Sequence, residues 1–181
     1  ETVSQVDEAV LVQAGDNREQ LETALERVGP EYQDDLGWLL EHMPAADLET
    51  LDAAFLVENV RLARDAWTQS PWYDQVDLAL YRDAILPYAC VNERRERWRP
   101  RLHAELSGLI TEDDTISTAA ARLNRALFPL VGVKYSTGRK KPDQSPSESI
   151  ESGLASCTGL SILLIDACRS VGIPARFTGT A

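Results

Sequence analysis

The chain has 181 residues, a formal net charge of −11, 44% hydrophobic and 26% charged residues, the balance of an ordinary soluble globular protein. Its charge is uneven, because residues 1–90 hold 19 acidic and 5 basic residues and residues 91–181 hold 10 and 13. An acidic surface of that kind excludes nucleic acid as the main partner, and no apolar run approaches the ~20 residues of a membrane span.

Three cysteines, Cys90, Cys157 and Cys168, form no Cys-x-x-Cys pair, and the two histidines, His42 and His103, lie far apart. A zinc site is therefore not expected. The start at Glu1 without Met is compatible with export as a processed protein, and localisation stays open.

The spacing of apolar residues predicts a run of helices. Val3, Val6, Val10 and Leu11 give the first. Asp16 and Glu19 read as a capping box for a second through Leu21, Leu25 and Val28, ended by Gly29-Pro30. A third places Tyr32, Leu36, Leu39, Leu40 and Met43 on one side and stops at Pro44. Asp47 is expected to cap a longer helix from 48 to about 67. Ser70-Pro71 is expected to start another through Trp72, Val76, Leu80 and Leu86. Residues 92–110, with Trp98, Leu102, Leu106 and Leu109 and an irregularity before Pro100, and residues 116–128, capped by Thr115, complete a helical region. A short extended piece at Val131–Tyr135, an exposed Gly/Lys/Pro/Ser-rich loop at 137–146 and a helical turn at 147–152 follow.

The remaining stretch, Gly153 to Ala181, reads GLASCTGLSILLIDACRSVGIPARFTGTA. Leu160, Ile162, Leu163, Leu164, Ile165, Ala167 and Val171 make a helix apolar nearly all round, hence buried. Gly172 and Pro174 close it, and Arg176, Phe177 and Thr178 look like the opening of a strand. Cys157 stands at the start of this helix. Unpaired N–H groups there favour an anion, and a thiolate is the competent nucleophile in acyl transfer. A small buried cysteine is the other reading of the same position. Cys168 lies roughly 16 Å further along the same helix, out of disulfide reach, and reads as core.

The wording of this stretch carries more than its periodicity. Ser156-Cys157-Thr158-Gly159-Leu160-Ser161, followed by Ala167-Cys168-Arg169-Ser170-Val171-Gly172-Ile173-Pro174-Ala175-Arg176, resembles the transglutaminase-like superfamily. Ser145 to Gly153 looks like that family's lead-in, and Ile85-Leu86-Pro87-Tyr88, Asn92-Glu93 and Trp98-Arg99 resemble bacterial members with a helical region before the core. Leu154-Ala155 departs from the glycine-rich approach often found there.

The resemblance implies that Cys157 is the nucleophile of thiol-dependent acyl transfer on protein or peptide amides: transamidation, deamidation or hydrolysis. It implies a mainly α chain, with a helical region at 1–110 and the first part of an α+β transglutaminase-like core at 111–181. It places a histidine and then an aspartate on strands after the cysteine helix. Residues 1–181 are therefore expected to be the amino-terminal part of a longer protein, carrying the nucleophile without turnover of their own. No cofactor and no metal follow from the residues. The alternative is a non-catalytic helical binding or scaffold module with a silent core. Substrate, acyl acceptor and oligomeric state are not encoded in these residues.

Three further features have competing readings. Arg94, Arg95, Arg97, Arg99 and Arg101 crowd around Trp98, and a solvated helix face is expected there rather than a stacking site. His103 could serve as a base only against the family's order of cysteine before histidine. Tyr135 either lines the cysteine site or is a half-buried strand aromatic.

Overall fold

The computed structural model describes residues 6–178. It is mainly α-helical, with two strands of two residues each. The chain divides into two compact units, Glu1–Arg64 and Asp65–Ala181. Among the described residues no helix is long and apolar enough to cross a membrane.

The first unit is built from α1 (Glu8–Gln13), α2 (Arg18–Arg27), α3 (Gln33–His42), α4 (Ala45–Leu48) and most of α5 (Ala53–Thr68). Leu21, Ala24, Val28, Leu36, Leu40, Leu56 and Val60 are its buried apolar centre, and Val3 of the expected first helix lies outside the described residues. Two expected caps do not form. Asp16 sits in a 3-10 turn, Gly15–Asn17, and caps nothing. Asn17 precedes α2 instead, and its amide donates to the carbonyls of Leu48 at 2.8 Å and Leu51 at 2.9 Å. Asp47 lies inside the single turn of α4, and Asp52 heads α5 by accepting from Phe55 N at 2.7 Å. Arg64 pairs at 3.0 Å with Asp35, which is 1% exposed.

The second unit carries the site. Pro71 sits in a turn that leads into a 3-10 turn, Tyr73–Gln75, rather than a helix, and α6 (Leu78–Ala84) starts where Asp77 accepts from Leu80 N at 2.8 Å. Tyr81 takes the buried position expected of Leu80, which is exposed. The helix expected over 92–110 is shorter, α7 (Arg99–Leu106) with a 3-10 turn after it. Pro100 has no N–H to give to Glu96, so a helix can begin at Arg99 but cannot run through it. Helix α8 (Ile116–Val131) has the expected Thr115 cap, reciprocated by Thr118, and ends at Gly132 with φ 71°. Strand β1 (Lys134–Tyr135) pairs in parallel with β2 (Leu154–Ala155). Between them lies α9 (Pro146–Ser152), and α10 (Cys157–Ser170) follows β2 directly.

Helix α10 is the centre of this unit, packed against α7, α8 and α9. Ile162, Leu163, Ala167 and Cys168 are buried, as are the facing Leu102, Leu106, Leu123 and Leu127. Leu160 and Leu164, expected inside, are half-buried. The helix ends in a Schellman arrangement: Ile173 N donates to Cys168 O at 2.9 Å and Gly172 N to Arg169 O at 3.2 Å. Residues 173–178 carry no strand; Ala175 N bonds to Ala84 O at 3.0 Å rather than joining a ladder.

Candidate active site

Four local devices place Cys157. Ser145 caps α9 and Glu148 returns the favour, its carboxylate accepting from Ser145 N at 2.9 Å. Gly153 ends α9 with φ 66°, a conformation glycine adopts without strain. Ladder bonds then hold β2 to β1: Lys134 N to Gly153 O at 3.1 Å and Ser136 N to Ala155 O at 2.9 Å. Finally Ser156 caps α10, accepting from Gly159 N at 3.0 Å while its own hydroxyl donates to Pro142 O.

The result is a cysteine at the first position of a fourteen-residue helix, exposed although the rest of that helix is largely inside. The N–H groups of Cys157 and Thr158 fall outside the intrahelical ladder, as the first ones of any helix do. Gly159 lets the helix start press close: a Cβ there would come 3.2 Å from Ala155 Cβ and 3.6 Å from Ser149 Oγ. Gln144, 1% exposed, braces the approach by donating to the carbonyls of Glu148 at 3.2 Å and Leu154 at 3.1 Å.

Neither histidine is brought to Cys157 as a partner. His103 Nδ1 donates to Ser170 O at 2.9 Å, at the far end of α10, about 20 Å of helix rise from the cysteine. There it helps line a cavity of about 270 Å³ with Ser70, Pro71, Ser107, Glu112 and Val171. His42 lies in the other unit, stacked on Trp38 at 4.1 Å. Tyr135 is 60% exposed, so it is not a half-buried strand aromatic. It pairs in the ladder with Ala155, two residues before Cys157.

A second cluster was not anticipated. Cys90, Glu93, Asp166, Arg99 and Arg169 converge on the buried side of α10. The Cys90 thiol donates to Asp166 Oδ1 at 3.7 Å, and Arg169 Nη1 stands 3.7 Å from both. Glu93 accepts from the N–H groups of Cys90 and Val91, the latter at 2.8 Å. Arg99 donates to the carbonyls of Ile85, Leu86 and Pro87 at 2.6, 3.0 and 3.1 Å. Arg169 adds bonds to Pro87, Ala89 and Ala175. The two guanidiniums thus satisfy the carbonyls of Ile85, Leu86, Pro87 and Ala89 and fasten that turn to the helix that starts with Cys157.

Burial dominates the acid–base chemistry of this cluster. It pushes the Asp166 carboxyl up to about 8, with Arg169 pulling the other way and Glu93 adding to the rise. It also drives the Cys90 thiol well above the usual thiol range, helped by the adjacent Asp166. The ligand atoms of Cys90, Glu93 and Asp166 lie within 4.8 Å of one another. The Arg169 guanidinium already supplies the positive charge at that point, and a cation placed among them would meet it at contact distance. The signal for this cluster was in the sequence: Asn92-Glu93 and Trp98-Arg99 stood out as family wording without a role attached. Of the five arginines, Arg94, Arg97 and Arg101 are exposed as expected, and Arg95 is half-buried; Arg99 departs from that face. Arg99 is 3% exposed and Trp98 4%, its indole donating to Tyr88 O at 2.8 Å.

The geometry therefore defines a helix-headed cysteine held by strand, cap and loop. Residues 106–181, which contain all of it, match the family model described as the transglutaminase-like superfamily. No curated protein and no solved structure matches the chain.

Proposed function

We propose that Cys157 is the nucleophile of a thiol-dependent acyl transfer on peptide or protein amides. The observation that carries this reading is its position: the exposed first residue of α10, inside the segment that matches the transglutaminase-like superfamily. In such a reaction the Cys157 sulfur attacks the amide carbonyl. The oxyanion that forms lies within reach of helix-start N–H groups, those of Cys157 and Thr158, which are aimed outward before the charge develops. Ammonia or an amine leaves once protonated, and a thioester remains on Cys157. A second amine or water then attacks the thioester and restores the thiol. Proton transfer in both halves requires an acid–base group; the resemblance supplies a histidine and an aspartate downstream of the cysteine helix, so the activity is proposed of the whole protein, with residues 1–181 carrying the nucleophile.

The test is release of ammonia from a glutaminyl peptide, with and without a primary amine, by the whole protein and by its Cys157→Ala variant. Turnover lost with the sulfur is expected. Turnover retained in Cys157→Ala overturns the assignment.

A further inference from the structure

The segment Lys134–Lys141, KYSTGRKK, holds four cations and no acid in a chain of net charge −11. It is also bonded to the residues that lead into the cysteine. Ser136 N is bonded to Ala155 O at 2.9 Å, and Pro142 O accepts from the hydroxyl of Ser156. Both ends of the arc between them are thus tied to the two residues that immediately precede Cys157.

Only one of the four cations is neutralised. Lys141 pairs with Glu148 at 3.0 Å. Lys134 and Lys140 are exposed and, with Arg139, make no ion pair among the described residues; Arg139 donates only to Thr137 O at 3.1 Å. The nearby acids are otherwise occupied. Glu96 accepts from Ser145 and Ser147 and pairs with Arg94, and Asp143 alone is left within the loop.

The backbone of the same segment offers a second feature. In a parallel ladder the N–H groups of Lys134 and Ser136 point to β2, so the N–H and C=O of Tyr135 point away from it. Its side chain is 60% exposed. This is a strand edge on the side of β1 away from β2, with an aromatic ring on it, and its register partner Ala155 lies two residues before Cys157.

We propose that the rim Lys134–Lys140 selects the substrate of Cys157: an extended peptide with acidic residues flanking the reacting amide, added as a strand along Tyr135. This rests on the reading of Cys157 as an acyl-transfer nucleophile. Edge pairing contributes affinity independent of sequence, and the side chains beside it contribute selectivity. Exposed ion pairs are individually weak and screened by salt, so the selectivity comes from three cations acting together and fades as salt is added.

The experiment uses the Cys157→Ala chain, which cannot consume its ligand, and fluorescein-labelled peptides with a central glutamine flanked by Glu and Asp or by Ser. At low salt the acidic peptide is expected to bind roughly five- to tenfold more tightly, a preference abolished by Lys134→Gln/Arg139→Gln/Lys140→Gln and by about 0.5 M salt. The acidic peptide methylated on alternate amide nitrogens is expected to bind several-fold more weakly, and the unmodified one to protect Cys157 of the wild-type chain from iodoacetamide. Equal binding of acidic and neutral peptides overturns the proposal. So does a preference that survives the triple substitution with the circular dichroism spectrum unchanged, a methylated peptide that binds equally well, or a single-stranded oligonucleotide that outcompetes the acidic peptide. These outcomes are separable from those of the turnover assay. Equal peptide binding with Cys157-dependent turnover removes the acidic preference alone, and selective binding without such turnover removes the acyl transfer alone.

Discussion

The indole nitrogen of Trp72 donates to the carbonyl of Gly172 at 2.6 Å across one hundred residues of sequence. Trp72 is fully buried, and Gly172 closes α10 in the left-handed conformation with φ 79°. A Cβ on Gly172 would stand 2.2 Å from the carbonyl oxygen of Ala66, which is backbone and cannot swing aside. Gly172→Ala therefore combines left-handed strain with a main-chain clash, and a loss of about 3 kcal/mol or more is expected. Gly108→Ala is the control, since nothing lies within 4 Å of its added carbon, and a change within about 0.5 kcal/mol is expected there. Urea midpoints of the two variants decide it; equal shifts would remove the close approach as a constraint.

Leu163 faces the packed side of α10 with no exposed surface, whereas Leu164 is half-buried. Leu163→Ala should cost about 2–5 kcal/mol and Leu164→Ala clearly less. Denaturant unfolding of both, read at fixed pH, checks the order. A larger loss at Leu164 would mean that the helix is rotated from its described orientation.

How much of this was legible follows from where the information sits. The α10 helix, its cysteine head and its Gly172-Ile173-Pro174 end are local signals, and all were readable. So was the Thr115 cap, because a capping box spans only four residues. The caps at Asp16 and Asp47 were misread because Asn17 and Asp52, short polar residues of the same kind, stand before α2 and α5; Asp52 caps its helix, whereas Asn17 turns its amide to Leu48 and Leu51. Only tertiary bonds, such as Asn17 to Leu48, choose between them. The helix expected over 92–98 failed for a related reason. Apolar spacing reported the burial of Trp98 and Leu102 correctly, but Glu93, buried at 3% exposure, was engaged with the Cys90 turn rather than with a helix. The pairing of Asp166 with Cys90 spans 76 residues, and no periodicity reports a contact of that range.

Asp166 makes stability depend on pH. Its carboxyl is raised in the folded chain to about 8 and has one buried oxygen, Oδ2, with no hydrogen-bond partner. In the unfolded chain an aspartate titrates near ~4. Between those values the folded state binds the extra proton, so stability is highest at the acidic end and falls as pH rises towards 8. At up to about 1.4 kcal/mol per pH unit, wild type should lose roughly 2–3 kcal/mol relative to Asp166→Asn between pH 5 and pH 7.5. Guanidinium unfolding of both chains across that range measures it. Parallel curves would mean that Arg169, 3.7 Å away, holds the carboxylate ionised.

The three thiols separate Cys157 from its neighbours by chemistry as well as by place. Cys157 is exposed at a helix start, Cys168 is buried along the same helix, and Cys90 lies partly covered beside Asp166. Burial pushes Cys168 up to about 12 and drives Cys90 higher still. Alkylation proceeds through the thiolate, so both are slow in the folded chain at neutral pH for two reasons, access and protonation. A limited iodoacetamide time course at pH 7.5, with each site mapped by mass spectrometry, should label Cys157 more than about tenfold faster than either. In urea, where the environments vanish, the three rates should converge. The convergence matters because it separates a folded-state effect from local sequence. If Cys90 reacts first in the folded chain, the Glu93–Asp166–Arg169 cluster opens to solvent more readily than its burial implies, and the distinction drawn here between a structural thiol and the nucleophile fails.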